Sequence, residues 1–179
     1  MYADNTLTPK EAVRLCALGS LAQAPLSYGD LANSIRHFVS RVLGPSLDVM
    51  GPSLELLKFE GLVTTTGDAQ DTENQILTIS DAGHEEFRKL MTANIKTAAA
   101  ELNKLIVALK FRYLHLLSKD DQVLQTELMI DYWENEIARL IDLHAHHKDD
   151  TGHLGEWLEH DIKVIEDRLS WLQDFSAKI

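Results

Sequence analysis

The stretch that most constrains the fold runs Gly51-Pro52-Ser53-Leu54-Glu55-Leu56-Leu57-Lys58-Phe59-Glu60-Gly61-Leu62-Val63. Gly51 can take a helix N-cap, and Pro52 suits the first turn because the N–H it lacks would be unpaired there anyway. Leu54 and Leu57 stand three apart, on one helical face. Gly61 supplies the left-handed C-terminal residue that other residues reach only at a cost. Leu62-Val63-Thr64-Thr65-Thr66 then has the β-branched composition of a strand. A short helix, stopped by a glycine, passes directly into a strand.

Upstream, Thr8-Pro9-Lys10-Glu11 is a capping box, and the helix behind it carries Ala12, Val13, Leu15, Cys16, Leu18, Leu21 and Ala22 on an apolar face. Ala24-Pro25-Leu26 breaks it. Ser27-Tyr28-Gly29-Asp30 starts a second helix through Leu31, Ile35, Phe38, Val39 and Val42, which Gly44-Pro45 ends. Downstream, Val63–Thr66 and Gln75–Ile79 form an expected two-stranded ribbon around the polar tip Gly67–Asn74, which holds three acids and no base. Ser80 or Asp81 caps the next helix, through Phe87 and Leu90.

The remainder reads as helical. Ile95, Leu102, Leu109 and Leu116 recur every seven residues with Ala98 and Leu105 beside them, predicting a long helix that ends near Ser118. Lys119-Asp120-Asp121 reads as a turn. A further helix carries Leu124, Leu128, Trp133, Ile137, Leu140, Ile141 and His144 up to a break at 148–152. The last carries Leu158, Ile165, Leu172 and Ile179, joined by Ile162 and Leu169. Faces this apolar exceed what one three-helix unit hides, so a partner is expected, and a second copy of the chain is the simplest one.

Composition bounds the function. With 45% apolar and 25% charged residues and no apolar run long enough for a bilayer, neither a membrane span nor membrane binding is expected. The N-terminus has no basic n-region or apolar h-region, so no signal peptide is expected. A single cysteine, Cys16, sits within an apolar helical pattern, which points to a buried thiol and a cytoplasmic location. The net charge of −11 divides as −5 over residues 1–90 and −6 over 91–179, so neither half has the basic footprint of a nonspecific polyanion binder.

The order of three helices, a two-stranded wing and a helical tail resembles the PadR family of transcriptional regulators. Four stretches carry the resemblance: Ala24-Pro25-Leu26-Ser27-Tyr28-Gly29-Asp30-Leu31; Pro52 to Val63; Leu77-Thr78-Ile79-Ser80-Asp81-Ala82-Gly83; and Ile165-Glu166-Asp167-Arg168-Leu169-Ser170-Trp171-Leu172. The resemblance implies a mainly α (α+β) chain, with a winged helix-turn-helix domain at 1–90 and a three-helix dimerisation domain at 91–179. It further implies a cytoplasmic homodimer that binds double-stranded operator DNA, represses transcription, and responds to a small, often aromatic, ligand near the dimer interface. Neither an enzyme nor a cofactor is implied. On that pattern Ser53, Glu55 and Lys58 face the major groove, and Arg36 and Arg41 reach phosphates; Lys10, Arg14 and His37 are further basic positions on the first two helices.

The chain departs from that family where DNA contacts are expected. Glu55 and Leu56 stand where two basic residues are usual, Gly51 where an aromatic is usual, and the wing tip carries Asp68, Asp71 and Glu73. A carboxylate facing phosphate repels it. The alternative reading is therefore a winged-helix dimer that uses the helix and wing to bind protein. Two other groups bear on function. Tyr113 and Trp133 are the candidate lining of a pocket for a flat ligand, against the plainer reading that they pack between helices. His144 and His147, with His153 and His160 beyond, have a workable ligand spacing; a polar helix end explains them as well, and no metal site is expected.

Overall fold

Thr8 caps the first helix, α1 (Pro9–Gln23), by a reciprocal pair of bonds. Glu11 N–H donates to the Thr8 hydroxyl at 3.3 Å, and Thr8 N–H donates to the Glu11 carboxylate at 2.7 Å. Two donors of the helix start are satisfied in this way, and the bond from the Thr8 backbone holds the Glu11 carboxyl below its ordinary range. The structure, a computed structural model, describes residues 6–43, 54–67, 71–95, 100–149 and 151–179. The expected helix stop at Gly44-Pro45, the expected cap at Gly51-Pro52, and Ser53, Asp68 and Ala98 lie outside the described residues.

After α1 come β1 (Leu26–Ser27), α2 (Tyr28–Leu43), α3 (Leu54–Phe59), β2 (Val63–Thr66), β3 (Ile76–Ile79), α4 (Asp81–Met91) and α5 (Ala100–Tyr113). The strands form one antiparallel sheet in the order β1-β3-β2, with Val63 opposite Ile79, Thr66 opposite Ile76 and Leu26 opposite Leu77. The ribbon is the one expected, with a third strand added. In the sequence Leu26 reads as part of a break and Ser27 as a helix start, because two residues are too few to display alternation. Ser27 also caps α2, its hydroxyl accepting from Asp30 N–H at 3.1 Å, while Tyr28 N–H donates to the Gln75 carbonyl at 2.9 Å. The sheet therefore fixes where α2 begins.

Gly61, at φ 73°, ends α3 as its sequence demands. Its N–H donates to the Lys58 carbonyl at 3.0 Å, and Leu62 N–H donates to that of Leu57 at 2.9 Å, which closes the helix with two otherwise unpaired carbonyls used. Ser80, rather than Asp81, caps α4 and accepts from Gly83 N–H at 3.1 Å. Its own N–H and hydroxyl donate to the carbonyls of Leu62 and Gly61 at 3.0 and 2.7 Å, so α4 is tied to the junction between α3 and the wing. Three helices followed by a two-stranded ribbon, with β1 completing the sheet, make a winged helix-turn-helix in a mainly helical chain.

The chain forms two compact units, residues 1–117 and 118–179, whereas the sequence expectation drew its line at residue 90. The difference is α5. Leu105, Ile106, Leu109 and Tyr113 are buried at 0% exposure, in the same unit as α1, α2 and α4. The expected single helix through to Ser118 instead ends at Tyr113, and a 3₁₀ turn over Leu114–Leu116 follows. Counted over the packed unit, residues 1–117 carry eleven Lys/Arg against thirteen Asp/Glu, a net of −2; residues 118–179 carry six against fifteen, a net of −9. Most of the chain's acidity thus lies outside the winged unit.

Lys110 of α5 is 1% exposed, and its ammonium donates to the carbonyls of Met91 and Ala93 at 2.6 and 2.8 Å, at the end of α4. Burial pushes its pKa down to about 8. A lysine with a depressed folded-state pKa opposes folding in full below that value, and the penalty lifts as pH rises toward the unfolded value near 10.4. Between pH 8 and 10 the wild-type chain should therefore gain stability relative to Lys110→Met, by roughly 1 kcal/mol at pH 9. Urea unfolding of both chains across that range measures it; parallel profiles contradict the assignment.

The second unit is a hairpin of α6 (Lys119–His147) and α7 (Leu154–Ser176). Lys119-Asp120-Asp121, expected as a turn, is the first turn of α6. Ser118 caps it, accepting from Asp121 N–H at 3.2 Å and donating to that carboxylate at 2.9 Å, and the two acids complement the helix N-terminus. Leu158 and Ile165 of α7 and Leu140 of α6 form its buried seam, with Trp133, Ile137, Leu143 and Ile162 packed around them. Lys119 Nζ donates to the terminal Ile179 carbonyl oxygen at 3.2 Å, closing the antiparallel pair. Among the described residues no helix is long and apolar enough to cross a membrane.

Candidate nucleic-acid interface

The α2 sequence buries one side and exposes the other. Leu31, Ile35 and Val39 go inward; Asn33, Arg36, His37, Ser40 and Arg41 go outward, at the spacing of one helical face. The Arg36 guanidinium donates to the Asn33 side-chain oxygen at 2.9 Å, one turn back, and Arg41 is exposed in the last turn. These are the two cations expected on phosphates, and both face solvent. Lys10 is exposed on α1. Arg14 is not available in the same way: it pairs with Glu60 at 2.8 Å and Glu86 at 3.5 Å, linking α1 to the end of α3 and to α4.

In α3, Leu54 and Leu57 are buried at 8% and 4%, while Leu56 and Phe59 are 37% and 89% exposed. At about 100° per residue, Glu55, Phe59 and Leu56 occupy one outward arc, and the two leucines lie opposite. Lys58 stands on the flank between them. Its ammonium donates to Glu55 Oε1 at 3.1 Å and to the Gln75 side-chain oxygen at 3.0 Å, and sits 5.3 Å from the centre of the Tyr28 ring. Its side chain is 18% exposed, against 54% for Glu55. The lysine expected to reach DNA is turned toward the wing and its own helix; the carboxylate remains outward. Ser53 lies outside the described residues.

Two outward residues were not among the expected site. Leu56 and Phe59 count as helix composition in the sequence, yet the three-residue offset from Leu54 to Leu57 also sets which face points in. Once Leu54 and Leu57 are taken as the buried pair, position 59 must face out. Gln75 gave no signal, because its meeting with Lys58 depends on the ribbon register.

The two candidate ligand-lining aromatics fall in different units. Tyr113 has 0% exposure; its hydroxyl donates to the Cys16 carbonyl at 3.0 Å and lies 3.0 Å from the Ser20 hydroxyl. Burial holds that hydroxyl well above its ordinary pKa and raises the Cys16 thiol as well. Trp133 is half-buried in the hairpin, with the Arg168 guanidinium 4.5 Å from its ring centre. Two of the histidines stand beside carboxylates, His144 with Glu159 at 3.4 Å and His153 with Glu156 at 3.2 Å. Among the described residues no three potential ligands gather around a common point.

A family model described as "Putative AphA-like transcriptional regulator" matches residues 2–176. Similar solved structures include Bacillus subtilis PadR in complex with operator DNA, at 18% identity and a TM-score of 0.37, covering 93% of this chain and 97% of that one. Bacillus subtilis PadR alone is another, at 16% identity and a TM-score of 0.37, covering 97% of each chain. No curated protein matches.

Proposed function

The chain belongs to the AphA-like family of transcriptional regulators, and from that premise we propose that it is a homodimeric repressor that binds operator DNA through α2, α3 and the wing. The observation that carries the reading is the α2 face: Arg36, His37 and Arg41 stand exposed together on the helix that precedes α3, within a unit whose net charge is only −2. Cations on that helix would engage phosphates, leaving α3 to the groove.

For the second copy, α7 offers the face that supports the proposal. Beside its buried seam runs an exposed one, Trp157, Val164 and Trp171, seven residues apart and 56%, 41% and 53% exposed. Trp171 stacks on Phe175 with ring centres 5.5 Å apart, widening the apolar strip. Such a strip on a helix suits pairing with its own copy. A flat ligand bound near that dimer face would meet Trp133 and Arg168, whereas Tyr113 would serve the winged unit's core.

One observation favours a second reading. Phe59, nearly bare beside Glu55, is also what a protein-docking helix would display. Titration of the full chain, its dimeric state measured by sedimentation, against the DNA upstream of its own reading frame separates the two. Affinity that falls with salt supports operator binding. A dimer that binds no duplex at low salt leaves the protein-docking reading.

A further inference from the structure

The outward arc of α3 has a chemistry of its own: one hydrogen-bond acceptor, Glu55, flanked by two apolar side chains, Leu56 and Phe59, with no donor between them. In the major groove cytosine offers an amino donor at N4 and thymine a methyl group at C5; guanine presents only acceptors there, and adenine sets its N6 amino donor beside an N7 acceptor that repels a carboxylate. We propose that α3 reads neighbouring pyrimidines on one strand, Glu55 accepting from the cytosine amino group and Phe59 with Leu56 packing on the thymine methyl. The inference rests on the operator-binding reading above.

Lys58 makes a carboxylate tolerable in that position. Its ammonium, 3.1 Å from Glu55 Oε1, neutralises the side chain locally and fixes its rotamer, and its second bond, to Gln75 at 3.0 Å, anchors the pair to the start of β3. Only Oε1 is engaged in the Lys58 contact, and 54% of the side chain stays exposed. Lys58 is on this account a positioning residue, and Glu55 the specificity-determining one. The acid that looks hostile to DNA thereby acquires a base to read.

The test is selection from a randomised duplex library with the full-length wild-type chain, then affinities for the selected site. The expected half-site contains a cytosine adjoining a thymine. Glu55→Gln should weaken binding to that site about tenfold and shift the preference at the cytosine position toward adenine, which matches a glutamine amide. Deoxyuridine in place of the thymine removes only a methyl group from the DNA, leaves the protein untouched, and should weaken binding roughly fourfold. A wild-type chain that selects a defined site, but shows no cytosine dependence and no response to Glu55→Gln or to deoxyuridine, overturns the inference and leaves operator binding standing. A wild-type dimer that retains no duplex, and instead binds a basic protein surface through Phe59, overturns both.

Discussion

Replacing Gly83 by alanine is expected to destabilise the winged unit by about 3 kcal/mol, lowering Tm by roughly 10 °C. Gly83 lies in the first turn of α4, where a Cβ would fall inside the contact radius of the Leu62 carbonyl oxygen and 2.7 Å from Ile79 Cγ1. The carbonyl has no room to yield. It already accepts from Ser80 N–H at 3.0 Å, and the Leu62 N–H is committed to Leu57 at 2.9 Å, so moving it would open the end of α3 and the base of the wing together. Gly155→Ala is the control: a Cβ there meets nothing within 4 Å, and alanine is the better helix former. Thermal melts of both variants decide the matter; a Gly83→Ala chain that melts with wild type contradicts the packing described here.

A comparable loss, about 4 kcal/mol, is expected for Tyr113→Ala. The ring fills the centre of the winged unit, edge-on to Phe87 with centres 6.1 Å apart, and its hydroxyl satisfies the buried Cys16 carbonyl. It also occupies the space that the missing side chain of Gly19 leaves on α1. A Cβ at Gly19 would come within 2.5 Å of Tyr113 Cε2, so Gly19→Ala alone should cost about 2 kcal/mol by forcing the ring out of place. The two sites must then couple. In a Tyr113→Ala background the added methyl group enters the vacated volume, and the double variant should be more stable than the two single losses added together predict. Urea denaturation of the four chains measures the coupling. Strict additivity would sink the claim that Gly19 exists to receive Tyr113.

These two sites also mark how far the sequence could be read. Gly61, the Thr8 capping box and the β-branched run after Leu62 announce themselves because their causes are local: a left-handed residue, a reciprocal cap, an alternating strand. The apolar repeat through Leu105 and Leu109 was equally plain as a helix, but a repeat says only that one face is covered, not by what. It therefore suggested a three-helix tail, whereas α5 packs in the winged unit and Tyr113 meets Gly19 across more than ninety positions of chain. The start of α6 was hidden for the opposite reason, since Lys119-Asp120-Asp121 looks like a turn until Ser118 is recognised as its cap.

The candidate interface divides along the same line. Arg36 and Arg41 could be placed outward from α2 periodicity alone, because Leu31, Ile35 and Val39 define the buried side. Lys58 could not, because what turns it inward is Gln75, seventeen residues away across the wing. The acids at the wing tip stand whatever the count, but the charge balance depends on where the unit ends: to residue 90 it is −5. Counted over the packed unit, the surplus is small, and the strongly acidic part of the chain is the α6–α7 hairpin, with a net of −9.

The central proposal, that the α2–α3 face seats on duplex DNA, is tested most directly by the salt dependence of binding with and without its two exposed cations. Each phosphate contact adds about 0.9 to the slope of log affinity against log salt. For Arg36→Ala combined with Arg41→Ala the account predicts a slope lower by about 1.8 per protomer, weaker binding to every sequence, and an unchanged melting temperature. An unchanged slope, in a double variant that remains folded and dimeric, would contradict it.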